Sequence, residues 1–215
     1  MEGIKNRGVF ITLEGGDGSG KTSMLPLLES WLQERKQPYM ITREPGGIRI
    51  AEGIREIILN PLHTEMDIRT EALLYAAARS QHLAEKVLPA LQEGKIVLCD
   101  RFIDSSLAYQ GYARGLGLKE VLDINMFAAG GRFPDLTFYL DIEPEIGLAR
   151  IRSAEGRHVD RLDLEAIDFH HKVREGYRKV LEMYPERMVV IDAARTQSEV
   201  CQEITGYLET FLKDF

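Results

Sequence analysis

Short runs of apolar, largely β-branched residues recur along the chain at 9–13, 39–42, 96–99, 136–140 and 188–191. They are apolar continuously rather than at alternate positions, which predicts strands covered on both faces, as in a parallel sheet between two helical layers. The stretches between them space polar and apolar residues as helices do, over 21–36, 51–59, 67–92, 104–112, 119–129, 144–153, 164–183 and 197–212. The pattern fails over 153–163, where Gly, Arg, His and Asp replace apolar periodicity. A mobile surface segment fits that stretch better than a linker between domains. The expectation is one α/β domain spanning 1–215, a five-stranded parallel sheet with helices on both faces and a mobile segment at about 150–163.

Composition narrows this picture by exclusion. A chain of 215 residues with 44% apolar and 28% charged positions can bury a single core. No stretch approaches the roughly 18 unbroken apolar residues of a membrane span. The opening MEGIKNRGVFITL runs from charged residues into the first strand without an apolar signal core, so a cytoplasmic protein with no membrane partner is expected. A net charge of −7 disfavours a nucleic-acid partner held on a basic face. Cys99 and Cys201 lie far apart and read as ordinary thiols. The five histidines show no ligand spacing, so neither a catalytic histidine nor a histidine metal site is expected.

The strongest chemical signal follows the first strand. Gly15-Gly16-Asp17-Gly18-Ser19-Gly20-Lys21-Thr22 satisfies G-x-x-x-x-G-K-[ST] and opens a helix, in the order strand, loop, helix that phosphate binding requires. Its glycines let backbone N–H groups and the helix N-terminus surround phosphates, Lys21 reaches the β/γ-phosphates, and Thr22 offers a hydroxyl to Mg²⁺. Arg43 and Arg101 stand just beyond predicted strand ends, the edge where ligands of open α/β sheets bind, and two such arginines can hold one phosphate. Tyr75 and Arg79 are four apart on a predicted helix and share a face, which suits stacking on a base and donation to its carbonyl; core packing of Tyr75 is the structural alternative. Asp100 could order Mg²⁺ or orient an arginine, or simply cap a turn. No asparagine is followed by lysine, so the guanine-reading motif of regulatory GTPases is absent.

Taken in order, the phosphate loop with Asp17, Thr42-Arg43-Glu44-Pro45-Gly46-Gly47, Leu73 to Arg79, Asp100-Arg101-Phe102, Ser105 to Gln110, the arginine-rich 150–161 stretch and Asp192-Ala193-Ala194-Arg195 resemble the thymidylate kinases, which are nucleoside monophosphate kinases. The resemblance covers nearly the whole chain. It implies transfer of the γ-phosphoryl group of Mg·ATP to dTMP, with ATP held by Gly15 to Thr22 and Arg195. It also implies dTMP contacts from Asp17, Arg43, Tyr75, Arg79, Arg101, Ser106 and Tyr109, and Mg²⁺ near Thr22 and Asp100. Tyr109 would lie beneath the sugar and select deoxyribose. Gly18 stands where eukaryotic-type members carry an arginine, which implies the bacterial type, in which a LID arginine closes on the phosphates. Arg150, Arg152, Arg157 and Arg161 are the candidates, with Arg157 beside Gly156 in the irregular segment. With Lys21 and Arg101, Arg150 and Arg157 form the expected catalytic set. Ile48-Arg49 departs from the usual Thr and small or polar residue after the double glycine. The family forms homodimers, and a homodimer is the implied assembly. A kinase for another nucleoside monophosphate, or a P-loop ATP-binding module without transfer, stays open at this point.

Overall fold

The computed structural model describes residues 7–153, 161–162 and 165–213. Five strands, β1 (Val9–Glu14), β2 (Tyr39–Arg43), β3 (Ile96–Asp100), β4 (Leu136–Asp141) and β5 (Met188–Asp192), form one all-parallel sheet in the order β2-β3-β1-β4-β5. Each continues one residue beyond its apolar run, and that residue is charged: Glu14, Arg43, Asp100, Asp141 and Asp192. The ladder therefore carries a row of charges to its carboxyl edge, with Arg43 and Leu13 both paired to Asp100.

Successive residues of β1 enter opposite cores. Ile11 and Leu13 pack with Met24, Leu28 and Leu32 of α1 (Lys21–Glu34) and with Val200, Ile204 and Leu208 of α9 (Gln197–Phe211). Phe10 packs on the other side with Leu83, Val87 and Phe102. Thus every β1 residue is buried, the condition that erases alternation from the sequence. The remaining helices are α2 (Arg49–Leu59), α3 (Ile68–His82), α4 (Leu88–Gln92), α5 (Ile103–Ser106), α6 (Leu118–Ala128), α7 (Pro144–Ser153) and α8 (Ile167–Met183).

Two helices expected to be continuous change pitch. The 67–92 stretch passes from α3 through a π-helical turn, Leu83–Val87, into α4. Pro89 lies just beyond that turn, and without an N–H it cannot continue an α-helical ladder, while Leu88 N–H reaches back five residues to Leu83 O. The 104–112 stretch passes from α5 into a second π-helical turn, Leu107–Ala113, where Arg114 N–H bonds Tyr109 O at 2.9 Å. Of the segment expected to be mobile, 150–153 complete α7.

Candidate active site

A cleft of about 1550 Å³ runs along the carboxyl edge of the sheet. Asp17 to Leu25, Arg43, Tyr75, Asp100, Arg101, Tyr109, Arg150 and Arg195 are among the residues that line it.

The loop after β1 closes around its lysine. Lys21 Nζ donates to Gly15 O at 3.0 Å, Gly16 O at 2.9 Å and Ser19 Oγ at 3.2 Å. Burial, and then the neighbouring Arg101 charge, bring its ammonium down to about 8. Gly18 takes φ +74°, and a Cβ there would sit 2.0 Å from Gly147 O, so the loop touches α7 backbone to backbone. Beside the loop, Thr22 Oγ1 donates to Asp100 Oδ2 at 3.3 Å, while Asp100 Oδ1 is buried with no hydrogen-bond partner.

Asp17 turns away from the loop's interior. Its Oδ1 accepts from Arg101 at 2.7 Å and its Oδ2 from the Tyr109 hydroxyl at 2.9 Å. Burial alone would raise this carboxyl; the charges of Arg101 and Lys21 and the Tyr109 hydrogen bond outweigh it and hold the group below its ordinary value. Arg101 has φ +67°, a left-handed backbone uncommon for a side-chain-bearing residue. Its guanidinium also donates to Gly15 O at 2.9 Å, Tyr177 Oη at 3.1 Å and Tyr109 Oη at 3.1 Å. Behind it, buried Glu14 accepts from Phe102 N–H at 2.6 Å and from the Tyr177 hydroxyl at 2.8 Å. Burial and nearby Asp104 push Glu14 up to about 7.

A second cationic cluster sits beyond β2. Exposed Arg43 donates to Glu52 Oε1 at 2.8 Å, and the same oxygen accepts from Gly47 N–H at 2.7 Å. Arg55 donates to Pro45 O at 3.0 Å and Lys86 to Gly47 O at 3.1 Å. With Arg49, both line the cleft.

These features belong together in a known lineage. The thymidylate kinase family model matches residues 13–204. The thymidylate kinase of Clostridium novyi (strain NT) is 60% identical, covering 95% of this chain and 100% of that protein. The enzyme of the same name from Geobacillus sp. (strain WCH70) is 61% identical over 90% and 92% of the two chains, and that of Geobacillus thermodenitrificans (strain NG80-2) 62% over 91% and 87%. The chain belongs to the thymidylate kinase family. It is a kinase.

Within this thymidylate kinase fold, Arg79 and Ser106 are buried behind the surface of the cleft. Arg79 is 1% exposed and is not among the residues lining the cleft. Its Nε pairs with Glu44 at 2.8 Å, and its terminal nitrogens donate to Ser106 Oγ at 3.1 Å, Phe102 O at 2.9 Å and Asn125 Oδ1. Four of its five N–H groups are thus spent inside the wall. Glu44 is held from the other side by His82 at 2.9 Å, and His82 meets Thr42 Oγ1 at 2.7 Å. Arg79 and Ser106 brace the wall of the cleft, and half-buried Tyr75, one turn earlier on α3, lines it.

The arginines expected in a LID separate as well. Arg150 lines the cleft and donates to Ala193 O at 2.9 Å and Ala194 O at 3.4 Å. Arg195, also at the cleft, is engaged by Glu203 and Asp192. Arg161 instead donates to Ile58 O at 2.9 Å and pairs with Glu71. Arg157 lies outside the described residues. Sequence reasoning missed Glu14, Glu52, Arg55, Lys86, Gln110 and Tyr177. Glu14 had a legible signal, a charge closing a buried strand directly before the loop; Tyr177 had none, since only the fold brings it to Gly15.

Proposed function

We propose that this cleft transfers the γ-phosphoryl group of ATP to dTMP, giving dTDP and ADP, with ATP on the β1–α1 loop and dTMP between Arg43, Tyr75, Arg101 and Tyr109. The observation that carries the reading is the Asp17, Arg101 and Tyr109 cluster, which joins the phosphate loop to the acceptor side of a thymidylate kinase fold. The attacking dTMP phosphate is already an anion, so the reaction needs no general base. What it needs is alignment of two polyanions and neutralisation of charge in the transition state.

Each cation has a place in that task. Lys21 exchanges its loop oxygens for β/γ-phosphate oxygens, and Gly15 to Thr22 supply backbone N–H groups. Arg101 and Arg43 grip the acceptor phosphate, which in the case of Arg43 competes with Glu52. Asp17 neutralises part of Arg101 and faces the sugar, while Tyr109 supports the deoxyribose. Tyr75 stacks on the base. Arg150 and Arg195 stand on the ATP side, and Arg157 is assigned to the transferring phosphate from the family resemblance alone. The Thr22 hydroxyl and the unpartnered Asp100 Oδ1 suit a hard cation, and these two residues would hold Mg²⁺. When bound, Mg²⁺ would offset the charge of the phosphates.

The segment at about 150–163 is assigned as the LID. A homodimer is proposed through the outer faces of α2, α3 and α6, where Ile57, Leu73 and Phe127 are exposed. No described helix is long and apolar enough to cross a membrane; a cytoplasmic location is proposed. ADP release with Mg·ATP, comparing dTMP, dUMP, UMP, CMP and AMP at equal concentration, tests the reading. Strong preference for dTMP supports it, and preference for another acceptor overturns the acceptor assignment. Arg101→Ala should weaken dTMP handling while leaving ATP binding in place.

A further inference from the structure

The left-handed backbone of Arg101, at φ +67°, persists in a residue with a side chain only where neighbouring contacts fix it. Arg101 N–H extends the ladder by donating to Leu13 O at 2.9 Å. The next N–H, that of Phe102, donates to Glu14 Oε1 at 2.6 Å, and Ser105 N–H reaches the same oxygen at 3.3 Å. Phe102 stands at the N-cap of α5 and has no side-chain acceptor of its own, so the carboxylate that closes β1 takes the cap's place.

The other carboxylate oxygen acts on the guanidinium. Glu14 Oε2 accepts from the Tyr177 hydroxyl at 2.8 Å, and that hydroxyl oxygen accepts from Arg101 at 3.1 Å. A phenol has one proton to give; spent on Glu14, it leaves the lone pairs of Tyr177 to Arg101. The ring is fixed by stacking on Tyr139, with centroids 4.8 Å apart. Asp104, whose charge also acts on Glu14, is itself paired with Arg187 at 2.6 and 2.8 Å. Glu14 and Tyr177 are both fully buried, and neither is among the residues lining the cleft, whereas Arg101 is. What they do for an acceptor must pass through Arg101.

We propose that Glu14 is a positioning residue that aims Arg101 at the acceptor phosphate from both ends, holding its left-handed turn through Phe102 and Ser105 and its guanidinium through the Tyr177 hydroxyl. The proposal rests on the reading of this cleft as the dTMP site. Gly15 O is where the arrangement would fail. Released from Glu14, the Tyr177 proton turns to Gly15 O, 3.4 Å away, and contests an oxygen that Arg101 holds at 2.9 Å.

The test measures Kd for dTMP, thymidine and ATP by calorimetry at pH 8, above the value of about 7 at which Glu14 takes up its proton. Thymidine shares base and sugar with dTMP and lacks only the phosphate assigned to Arg101. Tyr177→Phe removes the hydroxyl and keeps the ring; Glu14→Gln keeps an acceptor for Phe102 but turns an NH₂ toward Tyr177. Each should raise Kd for dTMP about tenfold, the effect of losing a hydrogen bond to a charged group, with Kd for thymidine and ATP unchanged. Should Glu14→Gln fail to fold, Tyr177→Phe decides alone. An unchanged Kd for dTMP in Tyr177→Phe, or equal weakening of dTMP and thymidine, would overturn the inference while leaving the dTMP reading intact. Failure of the unaltered protein to bind dTMP would overturn both.

Discussion

Asp17 Oδ1 lies 2.7 Å from a guanidinium nitrogen of Arg101, and this contact ties the loop after β1 to the residue that follows β3. The loops that follow two adjacent strands are thus joined to each other, with Tyr109 bonded to both partners. In the proposed reaction the pair orients Arg101 toward the acceptor rather than toward ATP. Asp17→Asn keeps the shape but removes the charge. KM for dTMP should rise about 10- to 100-fold, the worth of a hydrogen bond between charged groups, with KM for ATP unchanged. Steady-state kinetics with each substrate varied would show it, and an equal rise in both constants would contradict the assignment.

Lys21 is brought down to about 8 by burial and by Arg101, from an ordinary value of 10.5. A bound polyphosphate restores the protonated form, so nucleotide binding at pH 8.5 should take up a proton. Calorimetry in two buffers of different ionisation enthalpy measures this uptake. Lys21→Met should abolish both the uptake and phosphoryl transfer.

Glu14 titrates near 7 in the folded chain because it is buried beside Asp104, against 4.5 when unfolded. The folded state then binds more protons than the unfolded one between those values. The stabilising contribution is fully present below about pH 4.5 and is lost as pH rises through about 7. Melting temperatures of the protein and of Glu14→Gln from pH 5 to 7.5 should converge or cross as pH rises. A constant offset would show that Glu14 is ionised throughout.

Arg79 and Glu44 form a buried ion pair whose loss leaves one charge stranded. Arg79→Met should cost about 3–5 kcal/mol, and hence lower Tm on the order of 10 °C for a chain of this size. Thermal unfolding read beside dTMP kinetics separates the two roles in question. An intact Tm with a raised KM for dTMP would return Arg79 to direct base contact.

The sheet was legible because two-sided burial writes itself as unbroken apolar runs, and each run ended one residue early because the last ladder residue is charged rather than apolar: Glu14, Arg43, Asp100, Asp141 and Asp192. The loop from Gly15 to Thr22 was legible because phosphate chemistry constrains spacing within a few residues. Arg79 shows the limit of helical spacing. Four-residue separation placed it on the face of Tyr75, but its long side chain turns into the wall to meet Glu44, a partner 35 positions away. The π-helical turn that carries Tyr109 and the approach of Tyr177 to Glu14 depend on packing between distant segments, which leaves no local pattern.

The backbone contact between Gly18 and Gly147 restricts how this lineage can vary. A side chain at position 18 would have to displace α7, the helix that delivers Arg150 to the cleft. Placing a cation at position 18 therefore requires more than a single substitution: the sheet's edge would have to repack around it. A chain built on this contact is committed to glycine at position 18 and must bring its cations to the phosphates from other positions.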